Sequence, residues 1–94
     1  MAKLVYEIWL DPDENGGYLP GLCLAGPKGD GFRRHLQAGA VLTSTFRAES
    51  TFDAMSQYYR RNGWGDWTTP FPVDHEIHSR EEADAQQAFL RSQL

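Results

Sequence analysis

Cysteine occurs once, at Cys23, so no internal disulfide can staple this chain, and a reducing compartment suits it. No apolar run approaches the ~18 residues of a membrane span. No basic stretch followed by an apolar core marks a secretory leader. A cytoplasmic protein is expected, with no membrane role. Positive charge is also scarce. Nine Lys and Arg against thirteen Asp and Glu leave a net charge of −4, which argues against general binding to nucleic acid or to an anionic membrane. The deficit is uneven: residues 1–27 sum to −3, residues 28–61 to +3 and residues 62–94 to −4. The basic middle can therefore attract the chain's own acidic ends. Repeats and low-complexity tracts are lacking too.

Aromatic side chains, in contrast, are plentiful. Residues 1–94 are expected to form a single domain, and a chain this short buries only about 60–65% of its unfolded surface. Three Trp, four Tyr and five Phe offset that shortage, since each can bury roughly 150–250 Å².

The best-defined stretch runs from Ser50 to Trp67. Ser50 is a good N-cap, because its hydroxyl can accept from a free backbone N–H of the first turn. Asp53, three residues on, suits the positive end of the helix dipole. Phe52, Met55 and Tyr59 share one face at i, i+3, i+7. Arg60 and Arg61 fall in the last turn, where positive charge is favoured. Gly63 is free to take the left-handed conformation of a Schellman stop, which sets Trp64 against Tyr59. These signals predict a helix over 51–62 with an aromatic exit.

Before it, Lys3 to Leu10 alternates, with Leu4, Tyr6, Ile8 and Leu10 on one side, and predicts a strand. Asp11 to Gly17 is a loop and Tyr18 to Ala25 a second strand, with Pro20 at an edge or bulge. Gly26 to Gly31 reads as a turn and Phe32 to Leu36 as one helical turn. Ala40 to Glu49 predicts a third strand whose core face holds Leu42, Ser44, Phe46 and Ala48. After the helix, Gly65 to Val73 is irregular, with ProPhePro at 70–72 extended. A last helix starts at Ser79, where Glu82 completes a capping box. Its thin stripe of Ala83, Leu90 and Leu94 predicts weak docking. The order implies an α+β domain: a three-stranded antiparallel β-meander packed on one central helix, plus a C-terminal helix. The far sheet face, with Val5, Trp9, Val41 and Thr43, looks half covered and points to a second copy or partner there.

Several stretches resemble chemical motifs. Asp11 to Gly16 has the first half of a calcium loop, but Leu22 stands where a bidentate Glu is needed, so an acidic hairpin turn is the plainer reading. His75 and His78, beside Asp74 and Glu76, offer imidazole and carboxylate to a transition metal. Cys23 with a histidine would make a thiolate pair, yet it lies between Leu22 and Leu24, as a buried structural thiol does. Gly26 to Gly31 lacks the Lys-Ser or Lys-Thr of a phosphate loop. Arg33, Arg34, Arg60 and Arg61, with Tyr58, Tyr59, Trp64 and Trp67, offer pairing and stacking to a single-stranded nucleic acid. Trp64, Trp67 and Phe71, with Tyr58, cluster at the helix end as binding anchors do.

The run PheArgAlaGluSerThrPheAspAlaMetSerGlnTyrTyrArgArgAsnGlyTrpGlyAspTrp within Thr45 to Thr69, and AsnGlyGlyTyrLeuProGly earlier, resemble small bacterial proteins in which a strand runs through a capped helix into a GlyTrpGly exit. That group has no assigned activity, so the resemblance implies no residue role. The sequence thus predicts a small non-catalytic interaction module. It would self-associate, as a homodimer, or take another protein, with Trp9, Tyr58, Trp64, Trp67 and Phe71 as its binding residues and no cofactor. The alternatives are a small-ligand or metal-binding protein using His75 and His78, or a single-stranded nucleic-acid binder.

Overall fold

The structure, a computed structural model, describes residues 2–93. Its elements are β1 (Leu4–Pro12), β2 (Tyr18–Leu24), a 3-10 turn (Pro27–Gly29), α1 (Asp30–Arg33), β3 (Val41–Ala48), α2 (Thr51–Arg61), a second 3-10 turn (Pro72–His75) and α3 (Arg80–Ser92). The strands form one antiparallel sheet in the order β2-β1-β3. The α+β class and the antiparallel three-stranded sheet are as expected. The order is not that of a meander, because β3 returns beside β1 and not beside β2. β1 buries Leu4, Tyr6 and Ile8 and takes the centre, where both its edges are paired. β2 carries Pro20 and is left at an edge, where a missing N–H does least harm.

Residues directly opposite one another share a sheet face. Tyr6 lies opposite Leu24 on one side and Phe46 on the other, and Leu4 opposite Ala48. The core is Leu4, Tyr6 and Ala48 with Ala54 of α2, and Leu22, Leu24, Phe46 and Ala83 pack around it. Ala48 and Ala54 are both fully buried; two small side chains let α2 approach the sheet closely. The expected helix stripe is therefore turned. Met55 and Tyr59 line a groove together with Ile8 and Leu22, but Phe52 swings to Trp67 and His75.

Both ends of α2 follow the sequence signals. Ser50 Oγ accepts from the Asp53 N–H at 3.0 Å, and Asp53 Oδ2 accepts from the Glu49 N–H. At the other end the Trp64 N–H donates to the Tyr59 carbonyl and the Gly63 N–H to that of Arg60, with Gly63 at φ 70°. These are the two bonds of a Schellman stop.

A bulge changes the outer half of β3. Ile8 pairs with Ser44, but Trp9 pairs with Leu42, leaving Thr43 as the extra residue. The Thr43 hydroxyl donates to the Ile8 carbonyl at 3.1 Å. One inserted residue flips every side chain beyond it, so Leu42 leaves the expected core face, joins Trp9 on the other face and is exposed.

Part of that other face is covered by the chain itself. Phe32 lies over Gly21. Arg33 Nη1 sits 2.7 Å from Glu7 Oε1 and bonds the Leu24 carbonyl, while its Nη2 bonds Asp30 and the Gly26 carbonyl.

The last helix docks through a polar residue. Val5 lies one place beyond the final β1–β2 pair, Tyr6 opposite Leu24. There the Val5 N–H donates to Gln86 Oε1 at 2.7 Å, and Gln86 Nε2 donates to the Val5 and Ala25 carbonyls, each at 2.9 Å. The Ala25 N–H donates to the same Val5 carbonyl at 3.0 Å, and the Gln86 amide bridges the remaining pair, the Val5 N–H and the Ala25 carbonyl. Ala83 reaches the core and Leu90 is half-buried; Leu94 lies outside the described residues. To the thin apolar stripe expected from the sequence the structure adds this buried amide. The capping box at Ser79 forms in both directions. Residues 70–72 are not wholly extended: Phe71 is, and Pro72 opens a 3-10 turn. No helix among the described residues is long and apolar enough to cross a membrane.

Candidate functional site

The end of α2 is wrapped by aromatic rings on two sides. Trp64 meets Tyr58 and Tyr59 edge-on, with centroids 5.4 and 5.3 Å away and interplanar angles of 90° and 88°. Edge-to-face pairs of this kind add roughly 0.5–1.5 kcal/mol beyond buried area, so the indole is held in place although it is 53% exposed. Beneath it a groove of about 210 Å³ runs between α2 and the β2 edge, floored by Ile8, Leu22 and Met55.

On the other side of the helix lies an open cleft of about 470 Å³ between α2 and residues 65–75. Phe52 is its floor, stacked on His75 at 4.5 Å and 28° and tilted against Trp67 at 6.0 Å and 47°. Arg60, Ser56 and Asp66 supply polar groups to the same walls. The loop is tied down by Thr69, whose hydroxyl lies 2.6 Å from Asp74 Oδ2 and accepts from the Phe71 N–H. A further hollow of about 200 Å³ under α3, lined by Leu4, Leu24 and Phe89, is almost wholly apolar. Among the described residues, the Phe52 cleft brings aromatic surface together with Arg60, Ser56 and Asp66, which makes it the candidate site.

The expected binding residues are divided among several places. Tyr58 and Trp64 line the groove and Trp67 the cleft. Phe71, 63% exposed, lies at the start of the Pro72 turn. Trp9 lies on the far sheet face, half-buried, with its indole N–H donating to Glu7 Oε1 at 2.9 Å.

His75 and His78 have different partners. His75 stacks on Phe52. His78 Nε2 lies 2.6 Å from the Tyr6 hydroxyl and its Nδ1 3.7 Å from Glu82 Oε2. Burial raises the Tyr6 pKa, against a smaller opposing effect from the Thr51 hydroxyl; the phenol stays protonated, and the His78 tautomer sets which of the two groups donates. Glu82 also takes Lys28 Nζ at 2.9 Å. The backbone N–H of Ser79, then Lys28, hold its carboxyl down at about 2. Among the described residues, no three His, Cys, Asp or Glu side chains gather closely enough to hold a metal ion.

Cys23 is buried, with Glu7 Oε1 and Arg33 Nη1 each 3.5 Å from its sulfur. Burial first, then the Glu7 carboxylate, push its thiol up to about 11, far from a thiolate nucleophile. In the acidic loop, Asp13 Oδ1 accepts from the N–H groups of Asn15 and Gly17, and Asp11 Oδ1 from that of Gln37. Asp13 thus serves the turn, and Asp11 ties it to the segment before β3.

The four arginines stand on opposite sheet faces. Arg33 is paired with Glu7 beside Cys23, whereas Arg61 lies over the Phe46 ring at 5.1 Å. Two groups of consequence escape the sequence reading. Phe52 looks like a core residue by spacing, and only the small Ala54 beside it hints that the helix turns. Gln86 gives no signal, since a lone Gln on a helix reads as solvent-exposed.

The small α+β sheet with an aromatic cleft beside its central helix defines the architecture. Compared with family models, curated proteins and solved structures, the chain matches none. No residue role comes to it from a relative.

Proposed function

We propose that this chain is a small protein-binding module without catalysis of its own, taking a segment of a partner protein on the aromatic surface around the end of α2. One observation carries this reading. Trp64 and Trp67 are held by neighbouring rings yet open to solvent or to a cleft, as pre-ordered binding anchors are. The groups with chemical potential support it from the other side. Cys23, Tyr6, His78 and Glu82 are each engaged in internal bonds. A cytoplasmic setting suits the unpaired Cys23 thiol.

Selection from a random peptide library tests the proposal. Enriched peptides should bind the native chain at least tenfold more tightly than Trp64→Ala or Trp67→Ala variants that retain the native circular dichroism. Failure to enrich any peptide that depends on either tryptophan overturns it.

Self-association is the second reading. β3 is an edge strand with Leu42 exposed beside Trp9 and Val41 exposed opposite Leu10 on the other face, and such an edge invites pairing with another copy. Equilibrium sedimentation of the native chain should then show a dimer that Leu42→Lys weakens; a monomer at high concentration removes this reading.

A further inference from the structure

We infer that the Phe52–Trp67–His75 cleft receives the C-terminal residue of a partner chain, an aromatic residue whose α-carboxylate sits on Arg60. This deepens the protein-binding reading and rests on it. The first reason is charge. Arg60 lines the cleft, and the ion pairs formed among the described residues engage Lys28, Arg33, His78 and Arg80 instead. A guanidinium is always charged, and its planar fork matches a carboxylate with two parallel bonds.

The second reason is the surface beside that charge. Phe52 and His75 stack at 28°, and Trp67 leans over Phe52 at 47°. A flat ring gains from packing on such a wall. About 470 Å³ is open there, within the roughly 300–1,000 Å³ typical of ligand sites.

The third reason is geometric. In an extended peptide, successive side chains point to opposite sides. An internal acidic residue and an aromatic residue next to it would therefore diverge, and a pair two positions apart would be spaced roughly 7 Å along the chain. A C-terminal aromatic residue carries ring and carboxylate on one Cα, so both reach the same walls. Asp66, on those walls as well, then accepts the backbone N–H of that residue. An anion without such an N–H would meet only its repulsion.

The probes are the peptide Gly-Gly-Ser-Phe with a free C-terminus, the same peptide amidated, and Gly-Gly-Ser-Ala with a free C-terminus, titrated into the full chain by calorimetry. The free-acid Phe peptide should bind at least tenfold more tightly than either of the others. Arg60→Gln should abolish the preference for acid over amide, while Arg60→Lys keeps part of it. Arg60 is exposed in the last turn of α2, and circular dichroism confirms that its variants fold. Equal binding of acid and amide, or a preference that survives Arg60→Gln, overturns the inference. If the peptide library yields tryptophan-dependent binders indifferent to a free C-terminus, the inference falls and the module reading stands. If no tryptophan-dependent binder emerges, both fall.

Discussion

Gln86 of α3 and Val5 of β1 are paired through both polar ends of the Gln amide, at 2.7 and 2.9 Å. The side chain inserts between Val5 and Ala25, joining the Val5 N–H to the Ala25 carbonyl. Gln86→Leu leaves the Val5 N–H and one acceptor site at Ala25 unpaired in a buried place. At roughly 1–3 kcal/mol for each orphaned group, the variant should lose about 2–6 kcal/mol in urea unfolding. Gln86→Glu should be worse at neutral pH, because it removes both donors and sets a carboxylate against two carbonyls.

The Cys23 thiol is raised in the fold, from 9.0 to about 11. The unfolded chain gives up this proton first as the solution turns alkaline, so the contribution is complete below pH 9 and is lost on going up through about 11. Stability should fall across that window. The raised Tyr6 phenol acts in the same direction. Cys23→Ala should show a shallower loss than the native chain in denaturant titrations at pH 8, 9.5 and 11. At pH 8 an aromatic disulfide reagent should label native Cys23 only as fast as the chain unfolds.

Glu82 titrates the opposite way. Its carboxyl is lowered from 4.5 to about 2, so the stabilisation is present above pH 4.5 and disappears as the pH drops to about 2. The group is 35% exposed, and solvent screening tempers the ion pair. Glu82→Gln keeps a weaker capping box but loses Lys28. Its acid unfolding curve should be flatter than the native one between pH 4.5 and 2, with a modest loss of stability at pH 7 and the two curves converging near pH 2.

Gly21 faces the Phe32 ring so closely that an added Cβ would run into it. Gly21→Ala should cost about 1–3 kcal/mol by overpacking, read as a lowered thermal midpoint. The same substitution in a Phe32→Ala background should cost less than it does alone, because the obstructing ring is gone. Equal costs in the two backgrounds would show that Phe32 does not cover this face.

The sequence by itself determined the local pieces. The Ser50 cap, the Gly63 stop and the Ser79–Glu82 box are each contained within a few residues, and their bonds follow from backbone geometry that neighbours alone set up. Alternation along β1 likewise names Leu4, Tyr6 and Ile8 as core residues without reference to anything distant. What tertiary structure decided depends on pieces far apart in the chain. The β2-β1-β3 order turns on which strand β3 meets. The bulge at Thr43 flips Leu42 to the outer face only because Trp9 sits opposite it. The cleft exists because Ala54 is small enough to sink against the sheet, which rotates Phe52 outward to His75 and Trp67. Gln86 matters because β2 stops one residue short of Val5. Hydrogen-bond partners and side-chain volume are matched across these distances, and a linear pattern carries no record of them.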